Sequence, residues 1–492
     1  MEASSQRANM GFIGAIVAVA TIGGFLFGYD SGAVNGTQDG LTKAFNLVPG
    51  SWSPSNGLGF TVASLLIGCF IGAFFAGRLA DLIGRRNTMM LAAALFLAGA
   101  LVQGAAPSQI IFVIARICGG MAVGAASVLS PAYISEVAPA NIRGRLTTVQ
   151  QIMIITGLTA AFVVNYFLAK GAGVSTAQFW AGIEAWRWMF LMQAIPAAIF
   201  LVALFMIPES PRYLVSKGRT ERAESVLASL FGRDAASAKL ADIRATFSAD
   251  HRPRLSDIKG NGLFGVRPIV WVGIMLAAFQ QFVGINVIFY YGATLWQLAG
   301  FSEAQSLKIN IISGVVSIAA CFVTIAVIDK IGRKPLLLIG SAGMAVTLFV
   351  MVYAFSHGSL DPAGNLVLSK DLGIIAVVAA NLYVIFFNFS WGPVMWVMLG
   401  EMFPNQIRGS ALAVAGFAQW AANYAVVQSF PWMAEHLGLA ATYAFYTVSA
   451  VISYFLVKAF IKETRGKELE EMEGWTAPVA AGDAEVAATK LG

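Results

Sequence analysis

Charged residues are scarce in this 492-residue chain, where Asp, Glu, Lys and Arg make up 12% and hydrophobic residues 58%. A soluble globular domain carries roughly 25% charged residues, so the composition excludes a fold with a water-covered surface. The 50 glycines fit the alternative, because membrane helices use glycine for close packing. The chain is therefore predicted to be an all-α polytopic membrane protein.

Cysteine and histidine are also rare, with three of each. Cys69, Cys118 and Cys321 lie within apolar runs, so no disulfide framework is expected and the redox compartment stays open. The histidines form no metal-ligand pattern, and no nucleophile–base constellation or phosphate-binding loop lies in or near the apolar runs. These absences argue against a membrane enzyme, an ATP-driven pump, a cofactor and a nucleic-acid partner.

A bilayer core about 30 Å thick requires roughly 20 apolar residues in a helix. That length predicts twelve spans near 10–36, 57–78, 87–106, 109–132, 146–169, 187–207, 268–298, 308–328, 335–356, 372–400, 409–432 and 438–460. The polar stretch 208–267 separates the first six spans from the last six. The predicted segments are an N-terminal six-helix bundle (1–207), a helical linker (208–267), a C-terminal six-helix bundle (268–461) and a tail (462–492).

Lysine and arginine concentrate in the loops after the even-numbered spans and in the linker. The positive-inside rule therefore places both termini and the linker in the cytoplasm of a protein of the cell (inner or plasma) membrane. The spacing of Leu214, Ala223 and Leu227 predicts short amphipathic helices in the linker. For 234–262, a solvated linker remains the alternative.

Two cytoplasmic loops recur in both halves of the sequence. "GRLADLIGRR" (77–86) matches "IDKIGRK" (328–334), and "EVAPANIRG" (136–144) matches "EMFPNQIRG" (401–409). The acid precedes the arginine by seven residues in both copies of the second motif. Two motifs in the same order at equivalent loops indicate a duplicated six-span unit, an arrangement that is typical of secondary transporters.

The acids and arginines of these loops are candidates for a gate. Carboxylates and arginines at helix ends can pair with one another and with helix dipoles, and so tie neighbouring spans together when that side is closed. The alternative is that the basic residues only obey the positive-inside rule. The candidates are Asp81, Arg85, Arg86, Glu136, Arg143, Asp329, Arg333, Glu401 and Arg408.

Away from the span ends, two charged residues lie inside the predicted spans, Asp30 in span 1 and Arg116 in span 4. A charge inside the bilayer costs at least a few kcal/mol and usually pairs or lines a water-filled path. If the two face each other, the carboxylate is ionised beside Arg116 and takes a proton when the arginine moves away. A static ion pair is the alternative.

Several further stretches carry a family resemblance over residues 10 to 470. They are "GYD" (28–30), "PESPR" (208–212), "QQFVGINVIFYY" (280–291) and "WGPVMWVMLGEMFP" (391–404). Together with the loop motifs they resemble the sugar porter family of the major facilitator superfamily, especially bacterial proton-coupled xylose and hexose symporters. The resemblance implies twelve helices in two six-helix bundles, with short cytoplasmic helices and one sugar site between the bundles.

The same resemblance implies which residues form the site. The matching substrate-binding positions are Phe27, Gln151, Gln280, Gln281, Asn286, Tyr290, Phe387, Trp396 and Gln419, with Tyr291 as an aromatic gate and Asp30 and Arg116 as the proton-coupling pair. The chemistry agrees, because amides both donate and accept hydrogen bonds to sugar hydroxyls and aromatic rings stack on the sugar ring. Hydrogen bonding between helices is the alternative for the amides, and packing for Phe27 and Phe387.

An ideal helix places Gln280, Asn286 and Tyr290 on one arc and leaves Gln281 off it, at roughly 100° per residue. A break at Gly284 would bring Gln281 in. The sequence also departs from the family pattern. A span 6 carboxylate of relatives is Gln193 here, while Leu158 and Ser317 replace amides and hint at a hexose.

The predicted function is import of a monosaccharide, a hexose such as glucose or galactose, or xylose, together with a proton by alternating access. The expected partners are the sugar, the proton as coupling ion and membrane lipids, and the protein is expected to act as a monomer. A proton-independent facilitator is the alternative, against which Asp30 argues, since uniporters of the family carry an uncharged amide there. A non-transporting sugar receptor is a second, less favoured alternative.

Overall fold

The computed structural model describes residues 9–139, 143–249, 255–404 and 407–465, with the backbone alone at 143–148, 246–249 and 255. The described residues form nineteen α-helices and one short hairpin, whose strands Ser359–Leu360 and Leu366–Val367 pair antiparallel. The helices are α1 (Met10–Asn35), α2 (Gln38–Phe45), α3 (Leu58–Ile83), α4 (Arg85–Ala105), α5 (Gln109–Val137), α6 (Arg143–Ala172), α7 (Ala185–Leu191), α8 (Ala194–Leu204), α9 (Pro211–Ser216), α10 (Thr220–Phe231), α11 (Arg233–Ala249), α12 (Pro268–Phe282), α13 (Ile285–Leu298), α14 (Glu303–Ile331), α15 (Arg333–Ser356), α16 (Lys370–Phe389), α17 (Trp391–Met402), α18 (Arg408–His436) and α19 (Gly438–Phe460).

Eleven helical segments in the described part of the chain are long and apolar enough to cross a membrane. They match eleven of the twelve predicted spans, and three of them are broken helices: span 6 (α7 and α8), span 7 (α12 and α13) and span 10 (α16 and α17). The predicted span 11 is the 29-residue helix α18. It is long enough to span but less apolar, because Gln419, Asn423 and Gln428 interrupt it.

The two halves pack in parallel ways. In the first half α1 packs on α6 and α4 on α5 and α8, and in the second half the equivalent helices do the same, α12 on α18 and α15 on α16 and α19. Across the halves, α3 lies against α18 and α6 against α14. Spans 2 and 5 of one half therefore meet spans 11 and 8 of the other, which leaves spans 1, 4, 7 and 10 towards the centre.

The linker contains three helices, α9 to α11. Ala223, Leu227 and Leu230 of α10 are buried in the hydrophobic cluster of the first half, as their spacing predicts. The alternative of a solvated linker is wrong for 234–249, where α11 forms and buries Ala236 and Leu240 in the same cluster, and residues 250–254 lie outside the described part of the chain. The segment limits at 207, 267 and 461 stay predictions.

Reciprocal glycines allow α3 and α5 to touch backbone to backbone. A Cβ on Gly68 would lie 2.0 Å from the Ile117 carbonyl oxygen, and one on Gly72 would lie 1.9 Å from that of Met121. In the opposite direction, a Cβ on Gly120 would lie 2.0 Å from the Leu65 oxygen. Small residues spaced four apart on both helices permit this approach, which van der Waals contact then stabilises.

We expect Gly72→Ala to lower the apparent melting temperature of the detergent-purified protein by several degrees, because the new methyl group forces α3 and α5 apart. Gly77→Ala on the same helix is the matched control, since no atom lies within 4 Å of the position of its Cβ. Thermal unfolding followed by size-exclusion chromatography measures both variants. Equal melting temperatures for the two variants would contradict the close packing of α3 and α5.

Candidate functional site

Span 7 breaks in its middle, as the glycine at 284 predicts. Gly284 has φ +84° and ψ 18°, in the left-handed region that favours glycine, and a Cβ there would lie 2.7 Å from the Tyr446 ring. The Val283 carbonyl, which the break frees from the helix, accepts a 2.7 Å hydrogen bond from the Tyr383 hydroxyl. The break is therefore fixed by packing on one side and by a hydrogen bond on the other.

The break brings the three amides of span 7 into one network. Asn286 Nδ2 donates to Gln281 Oε1 at 2.6 Å and to Asn423 Oδ1 of α18 at 2.8 Å. Gln281 Nε2 in turn donates to Gln280 Oε1 at 3.3 Å, and Gln280 Nε2 to the Trp391 carbonyl at 2.9 Å. The network joins spans 7, 10 and 11, and Asn423 is the member that the predicted site did not include.

The other predicted sugar contacts lie around this network with varied exposure. Phe27 of the first half packs edge-on against Trp420 of the second, with ring centres 5.8 Å apart. The side chain of Gln419 is buried and its Oε1 has no hydrogen-bond partner in the described part of the chain. Phe387 is buried, whereas Trp396 is 41% exposed, as an aromatic wall open to a ligand would be.

Gln151 lies half-buried on α6. The structure gives it no hydrogen bond to the amide network of span 7, so its predicted role rests on the family resemblance alone.

Tyr290 and Tyr291 face the first half and α18, respectively. The Ser31 hydroxyl donates to the Tyr290 hydroxyl at 3.1 Å, and the Tyr291 hydroxyl donates to the Val427 carbonyl at 2.9 Å. The predicted arc that joins Tyr290 to the amides is interrupted by the break at Gly284. Substrate contact by Tyr290 stays a prediction, and its hydroxyl in this structure joins span 1 to span 7.

Asn35 is a buried residue between the halves that the predicted site missed. Its amide donates to the Ile288 and Phe289 carbonyls at 3.1 and 2.9 Å, and its oxygen accepts from the Ala293 amide at 2.7 Å. Tyr291 is non-helical there, with φ −122°. Asn35 therefore satisfies the backbone groups that this kink releases, and Asn310 Nδ2 adds a further 2.9 Å bond.

Two more polar contacts close the same end of the molecule. Gln38 donates to the Tyr290 carbonyl and accepts from the Thr294 hydroxyl. The Ser175 amide donates to Glu303 Oε1 at 2.8 Å. The sequence signal for this group was available, because Asn35 lies at the end of the apolar run that contains Asp30 and Gln38 comes just after it.

Asp30 and Arg116 face each other and are fully buried, as the analysis of the spans predicts. Arg116 Nη1 lies 3.5 Å from Asp30 Oδ1 and 3.4 Å from Oδ2, longer than the 2.7–2.9 Å of a strong charge-assisted bond. Arg116 also donates to Gln103 Oε1 at 3.3 Å and to the Val62 carbonyl at 3.2 Å. The guanidinium is thus shared among several acceptors, and Asp30 is only loosely held.

Gln193 lies at the break between α7 and α8 and faces the Asp30 carboxylate. It is fully buried, yet neither polar atom of its amide makes a hydrogen bond of good geometry in the described part of the chain. A buried amide without partners is unfavourable. The pair and Gln193 therefore form a polar pocket that is poorly satisfied in this state.

The repeated loop motifs form one cluster of charges in each half. In the first half, Arg85 pairs with Asp81 at 2.8 Å and with Glu136 at 3.2 Å. Glu209 Oε1 accepts from the Arg85 and Arg86 amides at 3.0 and 3.1 Å, and so caps α4. The Ser210 hydroxyl donates to Glu136 and completes the cluster.

The second half repeats this cluster residue by residue. Arg333 pairs with Asp329 at 3.0 Å and with Glu401 at 2.8 Å. Glu463 caps α15 by accepting from the Arg333 and Lys334 amides, both at 3.0 Å, and the Thr464 hydroxyl donates to Glu401 at 2.6 Å.

Burial alone would raise the pKa of the Glu463 carboxyl, but the backbone N–H groups around it, chiefly those of Arg465, Arg333 and Lys334, outweigh that effect and lower the pKa. The capping acids are therefore part of the repeat that the sequence analysis missed. Its signal was "ESPR" (209–212) against "ETRG" (463–466).

The remaining gate candidates take different places. Arg86 contributes its backbone amide to the Glu209 cap, and Arg408 donates through Nη2 to the Phe403 carbonyl at 3.2 Å. Arg143 begins α6, and its side chain lies outside the described residues. Each cluster, as described, is contained within one half, so a gating role for it stays a prediction.

Comparison with known proteins identifies the family. Residues 16–475 match the profile of the family described as "Sugar (and other) transporter". The glucose transport protein of Synechocystis is 47% identical over 470 residues, which cover 95% of this chain and 98% of that protein. The D-xylose-proton symporter of Escherichia coli K12 is 40% identical over 501 residues, which cover 96% of this chain and 97% of that protein.

Solved structures agree with the sequence comparison. The inward-open xylose transporter XylE from E. coli has a TM-score of 0.79 at 37% identity, covering 95% of this chain and all of that one. A structure of the major facilitator superfamily proton:xylose symporter XylE bound to 6-bromo-6-deoxy-D-glucose has a TM-score of 0.75 at 38% identity, covering 95% and 100%.

The chain belongs to this sugar transporter family and has the major facilitator fold. It is a membrane transporter and not an enzyme, so the predicted family, fold class and transport function are confirmed.

We expect Asn35→Ala to open the end of the molecule at which Asn35 and Gln38 join the halves. Without the hydrogen bonds of Asn35, the backbone groups at the kink near Tyr291 have lost their partners. A net loss of 1–2 kcal/mol would raise the open population roughly five- to thirtyfold. A reporter cysteine in place of Ser31, with the native cysteines removed, measures this as a faster reaction with a membrane-impermeant maleimide.

Asn165→Ala is the matched control for this variant. Asn165 is also a buried asparagine, but it donates to the Gly32 carbonyl at 2.8 Å within the first half. If both variants label at the same rate, Asn35 does not hold this end closed.

Proposed function

We propose that the protein is a secondary active transporter that imports a monosaccharide together with a proton. The observation that carries the proposal is the buried pair of Asp30 and Arg116, whose oxygen–nitrogen distances are 3.4 and 3.5 Å. A pair kept only for stability is replaceable by apolar residues at little cost. A loosely held carboxylate beside a movable cation is instead suited to taking up and releasing a proton.

The proton step follows from the contacts of Arg116. When Asp30 is ionised, its charge holds the guanidinium between spans 1 and 4. When Asp30 binds a proton, Arg116 keeps Gln103 and the Val62 carbonyl as acceptors and is released from span 1. Protonation therefore loosens span 1 from span 4, and sugar in the central site completes the closure that allows the halves to reorient.

The amide network of span 7 is proposed to bind the sugar. Its amides bond to one another, and sugar hydroxyls can replace those bonds one for one. Trp396 and Phe27 supply apolar faces for the sugar ring. The relatives named as glucose and D-xylose transporters support a hexose or a pentose as substrate.

The structure corresponds, in this proposal, to an inward-facing state in the cell membrane with both termini in the cytoplasm. Polar contacts of Asn35, Gln38 and Ser175 join the halves at one end. In the described part of the chain, the ion pairs of Arg85 and Arg333 at the other end each stay within one half. The TM-score of 0.79 to the inward-open xylose transporter supports the same state.

A proton-independent facilitator is the second candidate, and it shares every feature above except the ionisable pair. Asp30 disfavours it, because a uniporter has no use for a carboxylate buried in span 1. Sugar transport without a proton flux would favour the facilitator over the symporter.

We expect Asp30→Asn to abolish uphill sugar accumulation and to retain sugar counterflow. The variant can still bind sugar and reorient, but the amide at position 30 cannot take up and release a proton. Proteoliposomes loaded with a pH dye report sugar-driven acidification of the lumen, tested with a panel of hexoses and pentoses. Asp371→Asn, an exposed acid at the start of α16, is the control and should behave as wild type.

The outcomes separate the candidates. Sugar flux without proton movement in the wild type would leave a facilitator. Sugar binding without flux for any sugar would favour a receptor, and the absence of both flux and binding would favour another substrate.

We expect Gln281→Ala to weaken sugar binding about fivefold, because one hydrogen bond to a sugar is worth on the order of 1 kcal/mol. The ratio of protons to sugar should stay unchanged, since Asp30 is intact. Tryptophan fluorescence titration measures the affinity. Asn381→Ala is the control, because that amide bonds Ser313 and the Val377 carbonyl outside the network, and an equal loss in both variants would argue against sugar contact by Gln281.

A further inference from the structure

Two turns far apart in the sequence have nearly the same backbone. Residues 180–182 and 263–265 each form one turn of 3₁₀ helix, whose middle residue is left-handed: Ala181 at φ 57°, ψ 22° and Phe264 at φ 54°, ψ 25°. An extended residue follows each turn, Ile183 at φ −100° and Val266 at φ −108°. Each turn then leads directly into a membrane helix. We call 180–188 the first hook and 263–271 the second hook.

The same hydrogen bonds hold both hooks. The carbonyl of the first residue accepts from the backbone amide three residues on, at 3.2 Å for Ile183 to Trp180 and 3.2 Å for Val266 to Leu263. It also accepts from the indole of a tryptophan eight residues on, at 3.0 Å from both Trp188 and Trp271. The shared sequence is Gly, then Ile or Val, then four residues and Trp, as in "GIEAWRW" (182–188) and "GVRPIVW" (265–271).

The hooks lie at opposite surfaces of the membrane. The first begins span 6 (Ala185–Leu204) and the second begins span 7 (Pro268–Leu298). Span 6 starts at one surface and ends at the other, where the linker leads into span 7. Their resemblance does not come from the duplication of the halves, because spans 6 and 7 are not equivalent members of the two copies.

The tips of both hooks are exposed and apolar. Trp180 is 69% exposed, and Phe264 is 84% exposed with Leu263 beside it at 65%. The tip carbonyls of Trp180 and Leu263 are each bonded twice, so these turns can enter an apolar region without leaving those groups unsatisfied. An indole with its N–H bonded and its ring at a span end matches the aromatic belt of membrane proteins.

The surroundings of each hook suit lipid. Trp180 and Trp188 form one wall of an open groove of about 670 Å³, together with Leu168, Phe179 and Met192. Lys259 and Arg267 flank the second hook, and neither makes an ion pair within the described part of the chain, while Arg267 Nε donates to the Lys259 carbonyl at 3.3 Å. Two unpaired cations beside an apolar tip are complementary to anionic lipid headgroups above acyl chains.

We propose that the hooks are lipid anchors, one in each leaflet. Their apolar tips insert at the boundary between headgroups and acyl chains and fix the depth at which spans 6 and 7 start. The second hook also binds anionic phospholipid headgroups through Lys259 and Arg267. Because these spans flank the linker, the anchors set the height of the two halves in the bilayer. The proposal does not depend on the transported substrate.

Spin labelling tests the insertion of the tips. Cysteine is introduced at 264 or at 180 after Cys69, Cys118 and Cys321 are replaced by alanine, and a nitroxide is attached to the protein in phosphatidylcholine vesicles. We expect high collision rates with oxygen and low rates with a water-soluble nickel chelate at both sites. The matched control is a label at Leu360, an exposed leucine (71%) in the polar hairpin, which should collide with nickel.

Nickel accessibility at both 180 and 264 as high as at 360 would overturn the proposal. If the label at 264 prevents folding, a cysteine at the neighbouring Leu263 gives the same readout.

Vesicle composition tests the headgroup contact. In the labelled protein that keeps Lys259 and Arg267, adding phosphatidylglycerol should lower nickel accessibility at 264 further. Salt at 1 M should reverse this effect. The double variant Lys259→Gln/Arg267→Gln should lose the dependence on phosphatidylglycerol and keep the insertion in phosphatidylcholine. An effect of phosphatidylglycerol that is the same in the double variant would overturn the role of these two cations.

Discussion

A backbone polar group in the bilayer needs a hydrogen-bond partner within the protein, and this constraint accounts for the contacts at the breaks in spans 7 and 10. At the break in span 7, the Val283 carbonyl is taken by the Tyr383 hydroxyl. At the break in span 10, Thr324 Oγ1 donates to the Asn388 and Phe389 carbonyls at 3.1 and 2.9 Å. At the kink near Tyr291, Asn35 supplies both a donor and an acceptor. The broken helices are stable because side chains from other spans replace their missing bonds.

The same constraint explains why the candidate site lies where the helices are broken. At the break in span 10, Gln280 Nε2 donates to the carbonyl of Trp391, the first residue of α17. Amides that also bond one another can exchange those partners for sugar hydroxyls at little net cost. Asp30, Arg116 and Gln193 are the opposite case, because each is fully buried and has at least one polar side-chain atom without a hydrogen-bond partner in the described part of the chain.

Much of this arrangement could be predicted from the sequence because it depends on residue type and spacing. The apolar runs predicted the spans, and Gly284 predicted the break in span 7. Two lone charges within apolar runs predicted the pair of Asp30 and Arg116. Position along a helix could not reveal the contacts of Tyr290, since the break rotates the second part of span 7 away from the ideal arc. Two of the hydrogen-bond partners of Asn35, Ile288 and Phe289, are separated from it by 253 and 254 residues in the chain. Only the packing of the two halves brings them together.

The capping acids have a consequence for biosynthesis. Glu209 and Ser210 follow span 6, so the cluster of the first half has all its members once the ribosome has passed the start of the linker. Glu463 and Thr464 follow span 12, so the equivalent cluster of the second half lacks its cap until span 12 has been made. The first half can therefore assemble as a finished unit during translation, whereas the second half must wait for the last span before the turn between α14 and α15 is locked.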